Sequence, residues 1–514
     1  ESHGIDLRMQ DYLQSVIAAT TITDAAPLID EDTWNKLRKH VEKMYGALNR
    51  QYFAARSAAA AKLETYDREK DELFTWVMMH RCNVRGARYM EHESSHLYSL
   101  LQPHSSELEK LYGITASMLV AGIVAIMDKH SRGTFSCFRE IRRLHGEWAS
   151  QVDENSLAVE AASVGLENAI LGSVERLGLA EDMNTNLEMA FGFGLFDVAR
   201  ISGLPEELVA GLSMCPGDDD TLFDGSEQSG WPTKYRSTLD RPFLRVNGRS
   251  YCFDIYTLLD GLYRAVGRLV RAKDPDYDEE WNRAQKEVSE AIPVELLKQL
   301  LPGATCYSGC HYQYQDPESG KAVLAEADGV VMYDDVVLVV EVKAGAFLPI
   351  PPTPDMEEFL ASVKTILFAP ADQGRRLAEP LRNGDTVALY AEPGKKAKKS
   401  HPLVEINGKD VRACYVVAVS VDQLTEIAST IQRHARGKTN EESPVWRLSI
   451  DDLRIYADMF KNPLVFCHYL EERHRAFACE WIDAVDEMDH FGLYTTTNCY
   501  AVQAEQARGE GARI

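Results

Sequence analysis

Ala325-Glu326-Ala327-Asp328-Gly329-Val330-Val331-Met332-Tyr333-Asp334-Asp335-Val336-Val337-Leu338-Val339-Val340-Glu341-Val342-Lys343 is the stretch whose reading decides the fold. Two runs rich in β-branched residues flank Tyr333-Asp334-Asp335. Such side chains fit a pleated, half-buried surface, so the reading is a β-hairpin that turns at the aspartates. Side chains alternate in face along a strand, which puts Glu341 and Lys343 on one side and Val342 on the other. Pairing about the turn carries Asp328 back to the end that holds Glu341. Two carboxylates and an amine then share one corner of a sheet otherwise built for burial. Charges buried without partners are costly, so the cluster points to a metal site or to chemistry.

The neighbouring segments supply the rest of an α/β core, expected over 275–470. Glu279 to Ala291 has helical character and precedes Thr305–Tyr314, a first strand. After Lys343 comes a long Pro-rich insert, then Asp372 to Ala378, where Gln373 and Arg376 share a helical face at i, i+3. Val411–Val421 and Val445–Ile450 read as further strands, Asp451–Phe460 and Pro463–Ala478 as helices. Residues 471–514 are expected to form a helical tail that frays at its Gly-, Ala- and Arg-rich end.

Residues 1–240 have a different texture, mainly helical, and suggest a sensing or assembly region. Leu37, Val41, Met44, Leu48 and Phe53 recur at helical spacing between Asp32 and Leu63. Further helices are expected at Asp71–Val84, Ser105–Lys129, Phe138–Gln151 and Ser156–Leu177. The Gly- and Asp-rich Cys215–Pro232 marks a boundary or exposed loop. Residues 241–274 read as a connector. Phe243 to Phe253 forms a hairpin, because Asn247-Gly248 suits a type I′ turn, and Ile255–Lys273 forms a helix.

A chain of 514 residues is too long for one ordinary core, so several domains are expected. Apolar content of 45% and charged content of 26% fit a soluble globular protein. The longest apolar stretch, Ile114 to Met127, is too short to span a bilayer. Ten cysteines lack paired framework spacing, and no signal peptide follows Glu1, so a cytoplasmic location is expected. The formal net charge of −24 requires any contact with phosphates to be local. Lys395, Lys396, Lys398 and Lys399, with Arg375, Arg376 and Arg382 shortly before them, are the candidates. The same acidity suits an enzyme that stays idle until a partner or trigger engages it.

The Asp-x₁₂-Glu-x-Lys arrangement resembles the active site of the PD-(D/E)xK nuclease superfamily, the restriction-endonuclease-like fold. The resemblance spans roughly 275–470, and its sharp motif is confined to 328–343. It implies a Mg²⁺- or Mn²⁺-dependent endonuclease. Asp328, Glu341 and the main-chain carbonyl of Val342 would hold the metal, and Lys343 would steady the attacking water and the phosphate. The chemistry explains the residue types. Mg²⁺ takes oxygen ligands and keeps several waters, and lysine is a compact point charge suited to an oxyanion. The family often adds a glutamate on the first core helix, here Glu287 first, with Glu290 or Glu280 as alternatives. Gln373 and Arg376 match the Gln-x-x-Arg/Lys element of some branches. Two departures stand out: Ala327 replaces the proline before Asp328, and the insert ahead of Gln373 is long. The substrate implied is nucleic acid, DNA first with RNA left open. The setting implied is restriction or antiviral defence, with a homo-oligomer or an activating protein as partner and no membrane.

Two other functions compete. His92-Glu93-Ser94-Ser95-His96 matches the HExxH pattern, which on a helix would put two imidazoles on one face with Glu93 as base, as in a zinc metallopeptidase. Cys306-x₃-Cys310 could join a zinc site, although no second pair has matching spacing. The third function is an inactive nuclease fold that serves as a nucleic-acid- or protein-binding scaffold.

Overall fold

The computed structural model describes residues 2–22, 29–60, 89–232, 234, 236–316, 319–344, 361, 364–391, 401–421, 428, 444–479, 482, 484 and 486–508. The helix expected at 71–84, most of the Pro-rich insert, and Lys395, Lys396, Lys398 and Lys399 lie outside the described residues. The chain divides into two compact units. One comprises residues 1–30, 93–232 and 236–278; the other comprises 31–92, 233–235 and 279–514.

The first unit is mainly helical, with a small sheet. Ser213–Met214 runs parallel to Phe243–Val246, which pairs antiparallel with Arg249–Tyr251. Asn247 and Gly248 both have positive φ, 51° and 77°, so the hairpin turns where the sequence placed it. Because its first strand also pairs with 213–214, segment 241–274 belongs to this unit and is not a separate connector. Helix boundaries differ from the periodicity reading in two places. The chain breaks at Gly113 and then runs unbroken over Ala116–Gln151, N-capped by Thr115, whose side chain accepts from the Met118 N–H. Gly165 divides the next stretch into Glu154–Val164 and Leu166–Arg176. A continuous apolar stripe does not reveal where a single glycine interrupts it. Among the described residues no single helix is long and apolar enough to cross a membrane.

The second unit carries the mixed α/β core. Helix α1 (Asp278–Leu300) leads into strands β1 (Thr305–Gln315), β2 (Ala322–Tyr333) and β3 (Val336–Lys343). Helix α2 (Ala369–Arg382) follows, then the short strands β4 (Thr386–Leu389) and β5 (Val404–Asn407), which pair with each other. Strands β6 (Ala413–Ser420) and β7 (Val445–Ser449) precede helices α3 (Ile450–Met459), α4 (Pro463–Ala478), α5 (Glu487–Thr496) and α6 (Tyr500–Arg508). Among the described residues the main sheet has five strands in the order β7-β6-β3-β2-β1. The β1–β2 and β2–β3 pairs are antiparallel, and β3–β6 and β6–β7 are parallel.

β3 is the central strand and its alternation sorts the two faces. Val336, Leu338, Val340 and Val342 pack in one core with α1, α3, α4, α5 and α6. Val337 and Val339 pack in the other, beneath α2 and the β4–β5 hairpin. Glu341 and Lys343 continue the second series. Asp334 at the β2–β3 turn takes φ 52°, a left-handed conformation that aspartate tolerates better than most residues. The turn is anchored to the next strand, since the Asp335 carbonyl accepts from the Arg412 and Ala413 N–H groups.

The C-terminal helices are part of this core, so the domain boundary expected at 470 falls inside α4 and residues beyond it are not a tail. Tyr494, Tyr500, Ala501 and Ala504 are buried against the sheet. Arg473 of α4 and Glu487 of α5 form a fully buried ion pair at 2.9 Å. Trp446, Tyr456 and Tyr469 also donate to Glu487 Oε1. A buried charge pair is tolerable only when its remaining hydrogen-bonding positions are filled, and both oxygens of Glu487 have donors.

Candidate active site

The β2–β3 ladder runs from Tyr333↔Val336 to Gly329↔Val340 and stops. One further step of that register sets Asp328 opposite Glu341. There the Asp328 carboxylate replaces the main chain, Oδ2 accepting the Val342 N–H at 2.7 Å. The other edge of β2 lapses at the same level. Ser308↔Gly329 and Cys310↔Ala327 pair, whereas Gly309, at φ 55°, and Asp328 do not. The alternation shifts phase across this break, because Tyr307 and Val330 face the α2 side and so do Cys310 and Ala327. β3 meanwhile stays pinned to β6 as far as Lys343↔Ser420. Glu341 and Lys343 are therefore held rigidly while the sheet opens beside them. In an extended strand the N–H and C=O of one residue point to the same edge, so the Val342 carbonyl lies on the Asp328 side.

A cavity of about 390 Å³ occupies this opening. Its walls are Lys286 and Glu290 of α1, Tyr312 and Tyr314 of β1, Glu326 and Asp328 of β2, Glu341 to Lys343 of β3, and Gln373 and Arg376 of α2. Helix α2 lies close above Glu341 because residue 374 is glycine. A Cβ there would meet Val416 Cγ1 at 2.5 Å and Glu341 Cγ at 3.4 Å. Helix α1 is tied to the end of β3 by Gln285, whose amide donates to the Ala344 carbonyl at 2.9 Å.

The electrostatics set the carboxylates apart from ordinary surface acids. Glu341 is 2% exposed, and among the described residues its Oε1 has no hydrogen-bond partner. Burial pushes its carboxyl well above the usual range, Asp328 adds to the shift, and Lys343 and Arg376 oppose it. Asp328 is also raised by burial, against the pull of the Val342 N–H and Lys343. Glu290 is pushed up to about 7 by burial and then by Asp328. Lys286 is shared between Glu290 at 3.6 Å and Glu326 at 3.7 Å. Lys343 and Arg376 differ from it. Among the described residues neither side chain makes an ion pair or hydrogen bond, and the Arg376 guanidinium carbon lies 5.2 Å from the Tyr314 ring centroid.

Asp328, Glu341, Val342, Lys343, Gln373 and Arg376 thus come together as the sequence suggested. Two other candidates do not join them. Glu287 is exposed and pairs with Arg283 at 3.3 Å; Glu290, three residues later, is the glutamate of α1 that lines the cavity. Arg375 is 8% exposed and bonds Asp372 at 3.0 Å, so its neighbour Arg376 is the one that faces the opening. Sequence reasoning missed Lys286, Tyr312 and Tyr314. The i, i+2 spacing of the tyrosines in a strand was the signal that could have found them.

Neither zinc motif is completed among the described residues. Cys306 packs with one core and Cys310 with the other, on opposite faces of the sheet. Glu93 and His96 are each 1% exposed, and His92 bonds Asp458 at 3.0 Å. Among the described residues no third His, Cys, Asp or Glu completes a zinc set with them. Comparison with family models, curated proteins and solved structures finds no match to this chain.

Proposed function

We propose that this chain is a metal-dependent nuclease that hydrolyses phosphodiester bonds of nucleic acid, DNA in the first instance, through the cavity at the β2–β3 opening. The observation that carries the reading is Glu341, a carboxylate buried beside Asp328, with one oxygen that has no hydrogen-bond partner among the described residues and with Lys343 next to it on the same strand face. Burying two like charges side by side is unfavourable unless a cation offsets them. The donor set is all oxygen: Asp328, Glu341 and the Val342 carbonyl on the same edge. It fits Mg²⁺ or Mn²⁺. When bound, the ion would neutralise phosphate charge and lower the pKa of a water.

The chain's own residues do the rest. Lys343, uncommitted to any partner among the described residues, would place its ammonium against the negative charge that develops on the phosphate. Gln373 and Arg376 on α2 would orient the phosphodiester across the opening. Glu290 and Lys286 on α1 form the opposite wall, where Glu290 could take up or release a proton near neutral pH. The sheet order, with the lysine-bearing strand at its centre and a helix before the first strand, supports a restriction-endonuclease-like core. A helical unit joined to such a core suits restriction or anti-phage defence.

The test is incubation of the full chain with plasmid, single-stranded DNA and RNA, with Mg²⁺ or Mn²⁺ against EDTA. Metal-dependent cleavage that disappears in Glu341→Ala supports the reading. Cleavage at the wild-type rate by the combined Asp328→Ala, Glu341→Ala and Lys343→Ala variant would refute it.

A further inference from the structure

The aromatic part of the cavity wall, on β1, is not explained by phosphate chemistry. The Arg376 guanidinium carbon lies over the Tyr314 ring, 5.2 Å from its centroid. Tyr312 stands behind them, its hydroxyl donating to the Gln373 carbonyl at 3.3 Å, and its ring lies 6.4 Å from that of Tyr314. Arg376 itself is exposed to the opening, and among the described residues its donors are unspent. An arginine that served only to meet a phosphate would need no aromatic backing. One held over a ring presents a planar cation, backed on one side, to whatever enters the cavity.

We propose that the Arg376–Tyr314 layer is a stacking shelf for one unpaired nucleobase, so that the substrate is a single strand or a frayed end and not continuous duplex. This deepens the nuclease reading and rests on it. Guanidinium planes and tyrosine rings are both surfaces on which bases stack without regard to sequence. The size agrees, since about 390 Å³ is room for a small-molecule-sized guest such as one nucleotide. The bases of a duplex already stack on each other, so none offers a free face unless it is first extruded. The shelf and the Asp328–Glu341 pair line the same cavity, which places the backbone of the stacked nucleotide beside the carboxylates.

The experiment uses the full chain in EDTA, with an oligonucleotide carrying a single 2-aminopurine, presented as a single strand and as a blunt duplex. The expected result is tighter binding of the single strand, with 2-aminopurine emission quenched on binding. Arg376→Ala should weaken that binding about tenfold or more, the range typical of losing one stacked base. Arg376→Lys should not restore it, because lysine keeps the charge without the plane. Tyr314→Ala should weaken binding as well while circular dichroism stays native, because the ring that backs Arg376 is gone and the fold is kept. Equal or tighter binding of blunt duplex, an unchanged 2-aminopurine signal, or wild-type binding by Arg376→Lys would each overturn the proposal. The two readings fail separately. Quenching without cleavage in any metal would leave the shelf standing and remove the nuclease, and metal-dependent cutting of blunt duplex indifferent to Arg376→Lys would do the reverse.

Discussion

Gly374 of α2 lies directly over Glu341 of β3. A Cβ at 374 would stand 3.4 Å from Glu341 Cγ and 2.5 Å from Val416 Cγ1, so the absence of a side chain lets the helix seal one side of the site. Glu341 owes its burial partly to that close approach, and its burial gives it its chemistry.

Gly374→Ala should therefore cost stability and activity together. Overpacking at a site this tight costs about 1–3 kcal/mol, and the displaced helix would carry Gln373 and Arg376 with it. Chemical denaturation, paired with a cleavage assay on the folded fraction, checks it. A variant as stable and as active as wild type would mean that the helix is not held where it is described.

Glu341→Gln should separate function from stability. Turnover should fall about 100-fold or more, as when a group acting on the transition state is removed. The melting temperature of the metal-free protein should stay level or rise, because a neutral amide replaces a carboxylate that is disfavoured when charged. Asp328→Ala and Lys343→Ala should lose turnover likewise, and circular dichroism should remain native. A large drop in melting temperature for Glu341→Gln would show that the carboxylate is structural.

The acid cluster predicts a pH dependence with a definite sign. Glu290 titrates at about 7, above its ordinary 4.5, through burial first and Asp328 second, and Glu341 and Asp328 are shifted the same way. Between those values the folded protein holds more protons than the unfolded chain, so metal-free stability should fall as pH rises from about 4.5 to 7. A divalent cation needs the carboxylates deprotonated. The rise in melting temperature on adding Mg²⁺ or Mn²⁺ should therefore be larger at about pH 8 than at about pH 5.5. Glu290→Gln should flatten the metal-free trend. A melting temperature indifferent to either metal at both pH values would count against the cation site.

Glu487→Ala should be among the most damaging changes in the α/β unit. It strands the buried Arg473 and removes the acceptor of Trp446, Tyr456 and Tyr469. Breaking such a pair from one side costs about 3–5 kcal/mol. Urea denaturation measures it, and replacing both Arg473 and Glu487 by methionine should cost less than the single change. A loss under about 1 kcal/mol would mean that the C-terminal helices are not integral to the core.

Much of the site was legible because its strongest signals are local. Asp334 and Asp335 mark the turn, valines mark the strands, and counting back from the turn pairs Asp328 with Glu341. The strands from Thr305 and from Val445, and the helix over Pro463–Ala478, were legible for the same reason. The C-terminal helices were not read as core, because Tyr494 and Tyr500 show no partner until α4 and the sheet supply one. Glycine breaks at 113 and 165 were invisible to apolar periodicity, which records a stripe and not its interruptions.

The sequence by itself determined that Glu341 and Lys343 share a strand face and that Asp328 returns to meet them, because alternation and a tight turn depend only on neighbouring residues. Tertiary packing alone decided that Glu290 and not Glu287, and Arg376 and not Arg375, look into the cavity. Each helical residue is turned about 100° from the last, so which one faces a site depends on how the helix seats on the sheet. That seating is fixed by distant contacts, here a glycine at 374 lying against Val416 and Glu341.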